Sequence, residues 1–369
     1  MNLDAVGNHI EAVVYCAHCM DSTRGKTAHG LIRFTERFDV KVVVDPVFAG
    51  QDAGMFLDGV ANGIPIVASV EEALGKLSPS AQRPAFVVGL ATDGGVLPSH
   101  ARSAVLQAIS HGLDIYSGLH VFLSEDDEMA ALAAKNGVDL FDVRIPPHRS
   151  TLHFYEGKVD EVQSVRVLVL GTDSASGKRT TAWMLRNALL QAGYKAEMIG
   201  TGQTAWMQGA RFSIRLDSLV NDFVAGEIEH VVRKAWKEAA PDVVVVEGQG
   251  ALLHPAYPGG LELVASVKPD VLILQDVPAR KTFDGFEQLP MPPMSRQLQA
   301  LELLSNRKVA AITINPKGLT REQVTQIASS FEADFKIPTV DVMHEGCARL
   351  ISVVESHLRT RSPISKPTR

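Results

Sequence analysis

Cysteine is scarce in this sequence: the 369 residues include only Cys16, Cys19 and Cys347. Cys16 and Cys19 have the C-x-x-C spacing of a redox pair or of half a metal site. No second C-x-x-C follows, and no helix of the thioredoxin type comes directly after the first. We therefore interpret both cysteines as small apolar residues at the end of a strand, not as redox or zinc-binding groups.

Excess basic charge and long apolar runs are also missing. The formal net charge is −6, so no surplus of Lys and Arg is available to neutralise the phosphates of a nucleic acid. No apolar run approaches the ~20 residues that span a bilayer, and the first residues, MNLDAVGNHIEA, lack the apolar segment of a signal peptide. We therefore expect a cytoplasmic protein that acts on a small molecule, has no nucleic-acid or membrane partner, and forms a homo-oligomer, a dimer or larger.

What is present is ordinary for a soluble globular enzyme: 46% of the residues are hydrophobic and 21% are charged. A chain of 369 residues is long enough for two domains, each with its own core. The sequence PPHRS at 146–150 interrupts the pattern of strands and helices. We therefore predict one domain at residues 1–150 and a second at residues 151–369.

The first half alternates short apolar runs with helical patterns, which is typical of a parallel sheet with helices on both faces. Its predicted strands are 11–16, 41–44, 85–89, 114–116 and 138–143. This arrangement predicts a Rossmann-like domain, although the fingerprint G-x-G-x-x-G is missing from its first turn. Asp45 nevertheless stands where such a domain carries its ribose-binding acid. Lys26, at the start of the first helix, either contacts a phosphate or carboxylate or is simply solvated.

The second half alternates in the same way. Its predicted strands are 165–170, 196–199, 243–246, 271–274 and 309–314. The first of them runs into a glycine-bounded turn and a helix that begins at about Lys178. Together the two halves predict an α/β protein with two doubly wound domains and parallel sheets, a Rossmann-like domain followed by a P-loop NTPase-like domain.

The turn at residues 171–180, GTDSASGKRT, has the composition of a phosphate-binding loop, and we call it the phosphate loop. Its backbone N–H groups and the dipole of the following helix point at an anion, and Lys178 can reach the next phosphate. The predicted cofactor-binding residues of this loop are Thr172, Asp173, Ser174, Ala175, Ser176, Gly177, Lys178, Arg179 and Thr180.

The phosphate loop departs from the standard pattern G-x-x-x-x-G-K-[ST] in two respects. Five residues, not four, separate Gly171 from Gly177, a spacing that resembles the variant loop of dethiobiotin synthetase. Arg179 replaces the hydroxyl that holds Mg²⁺, and Thr180 comes one position late. Because Arg binds phosphate bidentately, such a loop can hold a diphosphate without Mg²⁺ and without hydrolysing it.

Glu247 is the predicted partner of the phosphate loop. It ends the four-valine strand of DVVVVEGQG, which lies beside the loop in this class of sheet. With Arg179 in place of the hydroxyl, Glu247 acts as a general base or binds a substrate amine. Alternatively, it only pairs with Lys178 or Arg179. The two glycines of EGQG would allow a ligand to approach closely.

Further polar residues at the same sheet edge complete the predicted site. GTGQT, at residues 200–204, follows a strand and suits a ligand better than a core. His254 is either an acid–base group or part of a structural turn. Asp222 is another catalytic candidate, unless it and Glu227 belong to a solvated helix face. The remaining candidates are Gly202 and Gln203 for the cofactor and Arg215, Gly248, Gln249 and Lys26 for the substrate.

Six segments of the chain together resemble one family. They are GKTAHGLIRF and GLATDGGVLP in the first half and GTDSASGKRTTA, IGTGQTAWMQG, VNDFVAGEIE and VVVEGQGALLHPAYPG in the second. The family is a domain of unknown function with a Rossmann-like N-terminal half and a phosphate-loop C-terminal half, and members of it are identified as D-glutamate N-acetyltransferases (DgcN type). The resemblance covers nearly the whole chain and implies that the phosphate loop holds the diphosphate of acetyl-CoA.

Two functions of other classes stay open beside acetyl transfer from acetyl-CoA to a small acidic D-amino acid. One is an ATP- and Mg²⁺-dependent kinase or ligase of the dethiobiotin synthetase kind, with ATP as cofactor and with Glu247 and Thr180 on the metal. The other is a nucleotide-sensing regulatory protein. For acetyl transfer, Glu247 is the predicted base, and backbone N–H groups near residues 248–250 are the predicted oxyanion donors.

We predict that acetyl transfer needs no divalent metal, because Arg179 occupies the position of the Mg²⁺ ligand. Turnover after treatment with EDTA should equal that of the untreated protein, and added Mg²⁺ should leave it unchanged. Loss of turnover in EDTA that Mg²⁺ restores would make Thr180 a metal ligand and would favour the kinase.

Overall fold

The computed structural model describes residues 9–79 and 83–360, which form two compact units. The first unit comprises the described residues up to Pro146 together with Gln203–Ala210. The second comprises Pro147–Gly202 and the described residues from Arg211 onward. The predicted α/β class and the two parallel sheets are confirmed.

The first unit contains a six-stranded sheet in which all neighbouring strands are parallel. Its strands are β1 (Ile10–Tyr15), β2 (Phe38–Val44), β3 (Ile66–Val67), β4 (Ala85–Val88), β5 (Asp114–Ser117) and β6 (Leu140–Asp142). Their order, β3-β2-β1-β4-β5-β6, is that of the doubly wound Rossmann fold. Of these six strands, only β3 was not predicted, because two residues are too few to show a periodicity.

Among the described residues, five α-helices lie between these strands along the chain. They are α1 (Lys26–Arg33), α2 (Ala53–Asp58), α3 (Val70–Leu74), α4 (Ser99–Ser110) and α5 (Asp127–Asn136). Val13 and Val42 belong to one buried cluster, whereas Val14 and Val43 belong to another. Because successive side chains of a strand point to opposite faces, this division shows that β1 and β2 are buried on both faces.

The second unit contains a seven-stranded parallel sheet and a two-stranded antiparallel hairpin. In chain order the strands are β7 (Val165–Gly171), β8 (Ala196–Gly200), β9 (Phe212–Ser213), β10 (Val243–Glu247), β11 (Val271–Asp276), β12 (Thr282–Phe283), β13 (Phe286–Pro290), β14 (Val309–Ile314) and β15 (Thr339–Val340). The hairpin consists of β12 and β13, and the sheet has the order β15-β14-β11-β7-β10-β8-β9. Its central strand is therefore β7, which is buried along its whole length.

Eight more α-helices follow β7 in the part of the chain that the structure describes. They are α6 (Lys178–Gln191), α7 (Gln203–Met207), α8 (Asn221–Ala239), α9 (Gly260–Val267), α10 (Met294–Ser305), α11 (Arg321–Phe335), α12 (Val342–Glu345) and α13 (Ala348–Thr360). Helix α6 begins at the predicted residue. Among all helices formed by residues 9–79 and 83–360, none has the length and apolar character to cross a membrane.

The segment Gln203–Ala210, which includes α7, packs within the first unit although it follows β8 along the chain. Trp206 and Met207 are buried in a core cluster that also contains Val14 of β1. The guanidinium of Arg37 lies 4.1 Å from the ring centre of Trp206 and donates to its carbonyl oxygen at 3.0 Å. The predicted domain 151–369 includes this segment, whereas the structure places it in the first unit. The difference arises because adjacency in sequence does not show which core buries an apolar helix.

Two buried glutamates of α8 hold the segment that precedes β7. Glu227 accepts hydrogen bonds from the backbone N–H and the ring Nδ1 of His153, both at 2.7 Å. Glu229 accepts hydrogen bonds from the backbone N–H groups of Glu156 at 2.7 Å and Val159 at 2.9 Å. The predicted solvated face is therefore wrong for Glu227, because the preceding segment covers it.

Gly226 lies next to Glu227 at this contact, and a Cβ atom there would come within 1.9 Å of the His153 carbonyl oxygen. We predict that Gly226→Ala lowers the free energy of unfolding by about 1–3 kcal/mol, because one backbone segment would have to move away from another. Without this contact, replacing Gly by Ala inside a helix would instead raise the free energy of unfolding by about 1 kcal/mol.

The matched control is Gly75→Ala, because Gly75 has a φ of −66° and its new Cβ atom would meet its nearest neighbour at 3.4 Å. Chemical denaturation of both variants measures the difference. Equal stability of the two variants would contradict the packing of α8 on the segment that precedes β7.

Candidate functional site

The phosphate loop leaves β7 between the ends of its two neighbours, β10 and β11. Glu247, the last residue of β10, pairs with Val169, and Gln275 of β11 pairs with Gly171. Because the three strands are parallel, their carboxyl ends bring the phosphate loop, Glu247 and Asp276 to one edge of the sheet. The predicted position of Glu247 on the strand next to the loop is confirmed.

Lys178 is the first residue of α6 and is buried. Its ammonium group donates hydrogen bonds to the Asp173 carbonyl oxygen at 2.7 Å and to Ser176 Oγ at 3.3 Å. Its aliphatic stem passes Gly171 and Gly248, where added Cβ atoms would come within 3.0 Å of Lys178 Cδ. These contacts keep the ammonium group inside the phosphate loop, where anions bind in loops of this type.

Arg280, in the turn after β11, holds the phosphate loop in its conformation. Its guanidinium donates to Asp173 Oδ2 at 2.6 Å, to the Ser174 carbonyl oxygen at 2.8 Å and to the Ala175 carbonyl oxygen at 3.3 Å. Ala175 has a φ of 44°, a left-handed conformation that costs a non-glycine residue about 1–2 kcal/mol. Arg280 was not predicted, because it lies 107 positions after Asp173 in the sequence and no motif connects the two residues.

Asp173 is completely buried, and both of its carboxylate oxygens accept hydrogen bonds from the protein. Oδ2 accepts from Arg280 and from the backbone N–H of Asp284 at 3.0 Å, and Oδ1 accepts from the backbone N–H of Ser174 at 2.6 Å. The carboxylate therefore shapes the phosphate loop. Its predicted contact with the cofactor stays a prediction.

Buried polar side chains connect the phosphate loop and the first turn of α6 to β11 and β14. Gln275 Oε1 accepts hydrogen bonds from Thr181 at 2.5 Å and Thr313 at 2.7 Å. Thr172 donates to Asp276 Oδ1 at 2.8 Å, and burial raises the pKa of Asp276. Gln275 and Asp276 were not predicted, although they directly follow the apolar run VLIL as an acid follows the valines of β10.

Glu247 carries a buried carboxyl group whose Oε2 accepts a hydrogen bond from the backbone N–H of Thr201 at 3.0 Å. Burial raises the pKa of Glu247 and outweighs the opposite effect of the nearby Arg179 and Lys178 cations. The sequence alone did not determine the direction of this shift. A carboxyl group with a raised pKa beside an anion-binding loop is suited to proton transfer.

Packing within the protein accounts for the two glycines after Glu247. A Cβ atom at Gly248 would come within 2.3 Å of the Val169 carbonyl oxygen, and one at Gly250 within 1.9 Å of the Tyr257 carbonyl oxygen. Close approach of a ligand is therefore not needed to explain them. Gln249 is half-buried and donates to the Thr201 carbonyl oxygen at 3.4 Å. Substrate binding by Gly248 and Gln249 stays a prediction.

His254 is buried, and its two ring nitrogens have different surroundings. Nδ1 accepts hydrogen bonds from the backbone N–H groups of Ala256 at 3.1 Å and Tyr257 at 3.2 Å, so the neutral ring carries its proton on Nε2. Nε2 lies 3.5 Å from Asp173 Oδ1 and has no hydrogen-bond partner among the described residues. Burial lowers the pKa of His254. Of the two roles left open by the sequence, this geometry favours the structural one.

The other predicted site residues are distributed over both units. Asp222 is exposed in the first turn of α8, and Arg215 is half-buried just before the turn Leu216–Ser218. Lys26 is exposed at the first residue of α1, and Gln203 accepts a hydrogen bond from Arg144 at 2.9 Å; both belong to the first unit. Arg179 and Thr180 are half-buried in the first turn of α6, and Gly202 follows Thr201. The roles of these residues stay predictions.

Asp45 of the first unit does not face outward as a ribose-binding acid must. It is completely buried, and its carboxylate accepts hydrogen bonds from the backbone N–H groups of Met20 at 3.2 Å and Val47 at 3.0 Å. Cys16 and Cys19, in the turn that Asp45 holds, are free thiols whose pKa is raised by burial. Within residues 9–79 and 83–360, no group of three His, Cys, Asp or Glu side chains could hold a metal ion.

Both halves of the chain match a described family. Residues 46–146 match the Rossmann-like domain of DUF1611, and residues 153–351 match its P-loop domain; both are described as domains of unknown function.

Two relatives carry the name D-glutamate N-acetyltransferase. The one from Pseudoalteromonas sp. is 30% identical over 273 residues, which cover 72% of this chain and 80% of the relative. The one from Tritonibacter scottomollicae is 29% identical over 275 residues, which cover 73% of this chain and 80% of the relative. The crystal structure of a DUF1611 family protein from Anabaena variabilis ATCC 29413 is similar to this chain with a TM-score of 0.85 and 28% identity, and the match covers 94% of this chain and all of that one.

We predict that Glu247→Gln becomes more stable relative to the unsubstituted protein as the pH rises. Because the pKa of Glu247 is higher in the folded protein than its ordinary value of 4.5, the folded state binds the proton more tightly than the unfolded state. Ionisation therefore costs stability between that value and the folded pKa, and Gln removes this cost. Urea denaturation at several pH values measures the difference.

Glu332→Gln is the control of opposite sign. Hydrogen bonds from the Thr339 backbone N–H and from Arg349 lower the pKa of Glu332, so ionisation stabilises the folded protein there. This variant should lose relative stability as the pH rises. A relative stability of Glu247→Gln that is constant or falls with pH would contradict the raised pKa.

Proposed function

This chain belongs to the DUF1611 family, and we propose from that premise that it transfers the acetyl group of acetyl-CoA to the amine of an acidic D-amino acid, D-glutamate. The observation that carries the proposal is the placement of Glu247, a buried carboxyl group with a raised pKa, beside the cationic phosphate loop. The names of the two relatives support the reaction and the substrate.

The phosphate loop binds the diphosphate of acetyl-CoA in this proposal. The N-terminus of α6 supplies backbone N–H groups, and Lys178 supplies a buried ammonium group directed into the loop. Arg179, the next residue, supplies a bidentate donor where a Mg²⁺-dependent loop has a hydroxyl. Binding a diphosphate through cations and backbone groups, without bond cleavage in it, is what an acetyl donor requires.

Glu247 accepts the proton that the substrate ammonium must lose before it can attack. The nitrogen lone pair then forms a C–N bond to the thioester carbon, which gives the tetrahedral intermediate. When this intermediate collapses, the C–S bond breaks and CoA leaves with the electron pair of that bond. The second proton of the nitrogen is transferred to the CoA thiolate, so the products are the amide and the CoA thiol. A carboxylate with a raised pKa is a better base than an ordinary one. Backbone N–H groups near residues 248–250 stabilise the oxyanion of the tetrahedral intermediate.

Arg215 is the proposed partner of a substrate carboxylate. It is half-buried beside Leu216, whose backbone N–H donates to the Thr201 carbonyl oxygen at 3.2 Å. Thr201 in turn contacts Glu247, so the chain that carries Arg215 is connected to the proposed base by two hydrogen bonds. A guanidinium binds a carboxylate in a fixed orientation, which would present the amine to Glu247.

We predict that Glu247→Gln keeps its affinity for acetyl-CoA and loses about 10²–10⁴-fold in kcat, the usual contribution of a general base. For the unsubstituted enzyme, kcat should rise along an acidic limb whose midpoint lies above the ordinary Glu value of 4.5. The rate of D-glutamate acetylation, monitored through the CoA thiol that is released, gives kcat. Calorimetric titration with acetyl-CoA gives the affinity.

Glu238→Gln is the matched control, because Glu238 is a surface residue paired with Arg211. Glu238→Gln should keep the kcat and the acetyl-CoA affinity of the unsubstituted enzyme. Weakened acetyl-CoA binding with kcat intact in Glu247→Gln would make Glu247 a structural partner of the loop. Turnover of ATP with Mg²⁺, in place of acetyl-CoA, would contradict the proposed function itself.

A further inference from the structure

A cavity of about 390 Å³ lies at the carboxyl ends of β14 and β15, at one side of the second unit. Its size is within the ~300–1,000 Å³ range of ligand pockets. The residues that line it are Pro316, Leu319, Arg321, Val324, Asp341 and His344. The proposed chemistry of Glu247 and Lys178 uses none of them.

The cavity adjoins the phosphate loop through Asn315. The Asn315 side chain donates a hydrogen bond to the Ser176 carbonyl oxygen at 2.8 Å, and it would lie 3.4 Å from a Cβ atom at Gly177. Pro316, the next residue, already lines the cavity. Since consecutive Cα atoms are about 3.8 Å apart, the cavity begins one residue away from a direct contact with the loop.

The strand order separates this cavity from the proposed base. Glu247 ends β10, on one side of β7, whereas the cavity lies beyond β11, on the other side, in the order β15-β14-β11-β7-β10. A diphosphate bound at the end of β7 would therefore lie between Glu247 on one side and the cavity on the other. If its thioester arm extends toward Glu247, its nucleoside arm extends toward the cavity.

We propose that this cavity binds the adenosine 3′-phosphate end of the CoA moiety, an inference that rests on acetyl-CoA being the acetyl donor. Pro316, Leu319 and Val324 offer apolar surface to the flat faces of the adenine ring. Arg321, the first residue of α11, is exposed and binds the 3′-phosphate as a bidentate donor.

The one carboxylate of the cavity is already satisfied by the protein. Asp341 is buried, Oδ1 accepts a hydrogen bond from the backbone N–H of Met343 at 3.0 Å, and Oδ2 lies 2.6 Å from Nδ1 of His344. These partners offset its repulsion of a phosphate. Lys317, the residue after Pro316, is exposed and adds a further positive charge to this turn.

The experiment compares two nucleotides, 3′-phosphoadenosine 5′-diphosphate and ADP, by calorimetric titration. The protein should bind the 3′-phosphorylated nucleotide at least about tenfold more tightly, the effect of one charge-assisted phosphate contact. Arg321→Ala should reduce its affinity to that for ADP and leave ADP binding unchanged. The control is Arg307→Ala, which removes an exposed arginine that does not line this cavity. This variant should keep the preference for the 3′-phosphorylated nucleotide.

Equal affinity of the unsubstituted protein for both nucleotides, binding of neither, or a preference that survives Arg321→Ala would overturn the inference. The proposed function is tested separately, by acetylation of D-glutamate with the same preparations. Absence of acetylation with the nucleotide preference intact would contradict the proposed function and leave the cavity as a 3′-phosphoadenosine site.

Discussion

The buried carboxylate of Asp173 is the constraint on which the phosphate loop depends. A charge removed from water must be compensated by donors, and Asp173 obtains them from Arg280 and from two backbone N–H groups. Arg280 in turn donates to two carbonyl oxygens of the loop, including that of Ala175 in its left-handed conformation. The Asp173–Arg280 pair thereby holds these two carbonyl oxygens in place. It keeps the phosphate loop in a conformation that suits an anion.

The same loop sets the electrostatic surroundings of Glu247. Burial favours the protonated form of this carboxyl group, whereas Arg179 and Lys178 favour the ionised form, and burial is the larger effect. A bound diphosphate would neutralise part of the cationic charge and would raise the pKa of Glu247 further. In the proposed reaction the donor itself would therefore make the carboxylate more basic at the moment when a base is needed.

The position of β7 in the middle of its sheet decides which polar groups flank the phosphate loop. The order β14-β11-β7-β10 places polar side chains at the ends of four neighbouring strands, from Asn315 to Glu247. The phosphate loop therefore has polar side chains on both sides of it. The first unit has the Rossmann strand order without its glycine fingerprint, and Asp45 is used to hold a turn. Fold order alone therefore does not make the first unit a dinucleotide site.

The sequence by itself determined the features that arise from local patterns. Runs of β-branched residues predicted the central strands, the glycine-bounded turn before Lys178 predicted the start of α6, and the acid after four valines was correctly placed beside the loop. These predictions succeed because periodicity and turn chemistry act over a few neighbouring residues.

Only the tertiary structure decided which distant groups meet and which are buried. It paired Arg280 with Asp173, placed α7 in the first unit, covered Glu227 with the segment before β7, and set the direction of the Glu247 pKa shift. Each of these depends on contacts between residues far apart in the chain or on the loss of solvent around a charge. Neither quantity has a signature in the neighbouring sequence, so they follow from the packing of the whole unit.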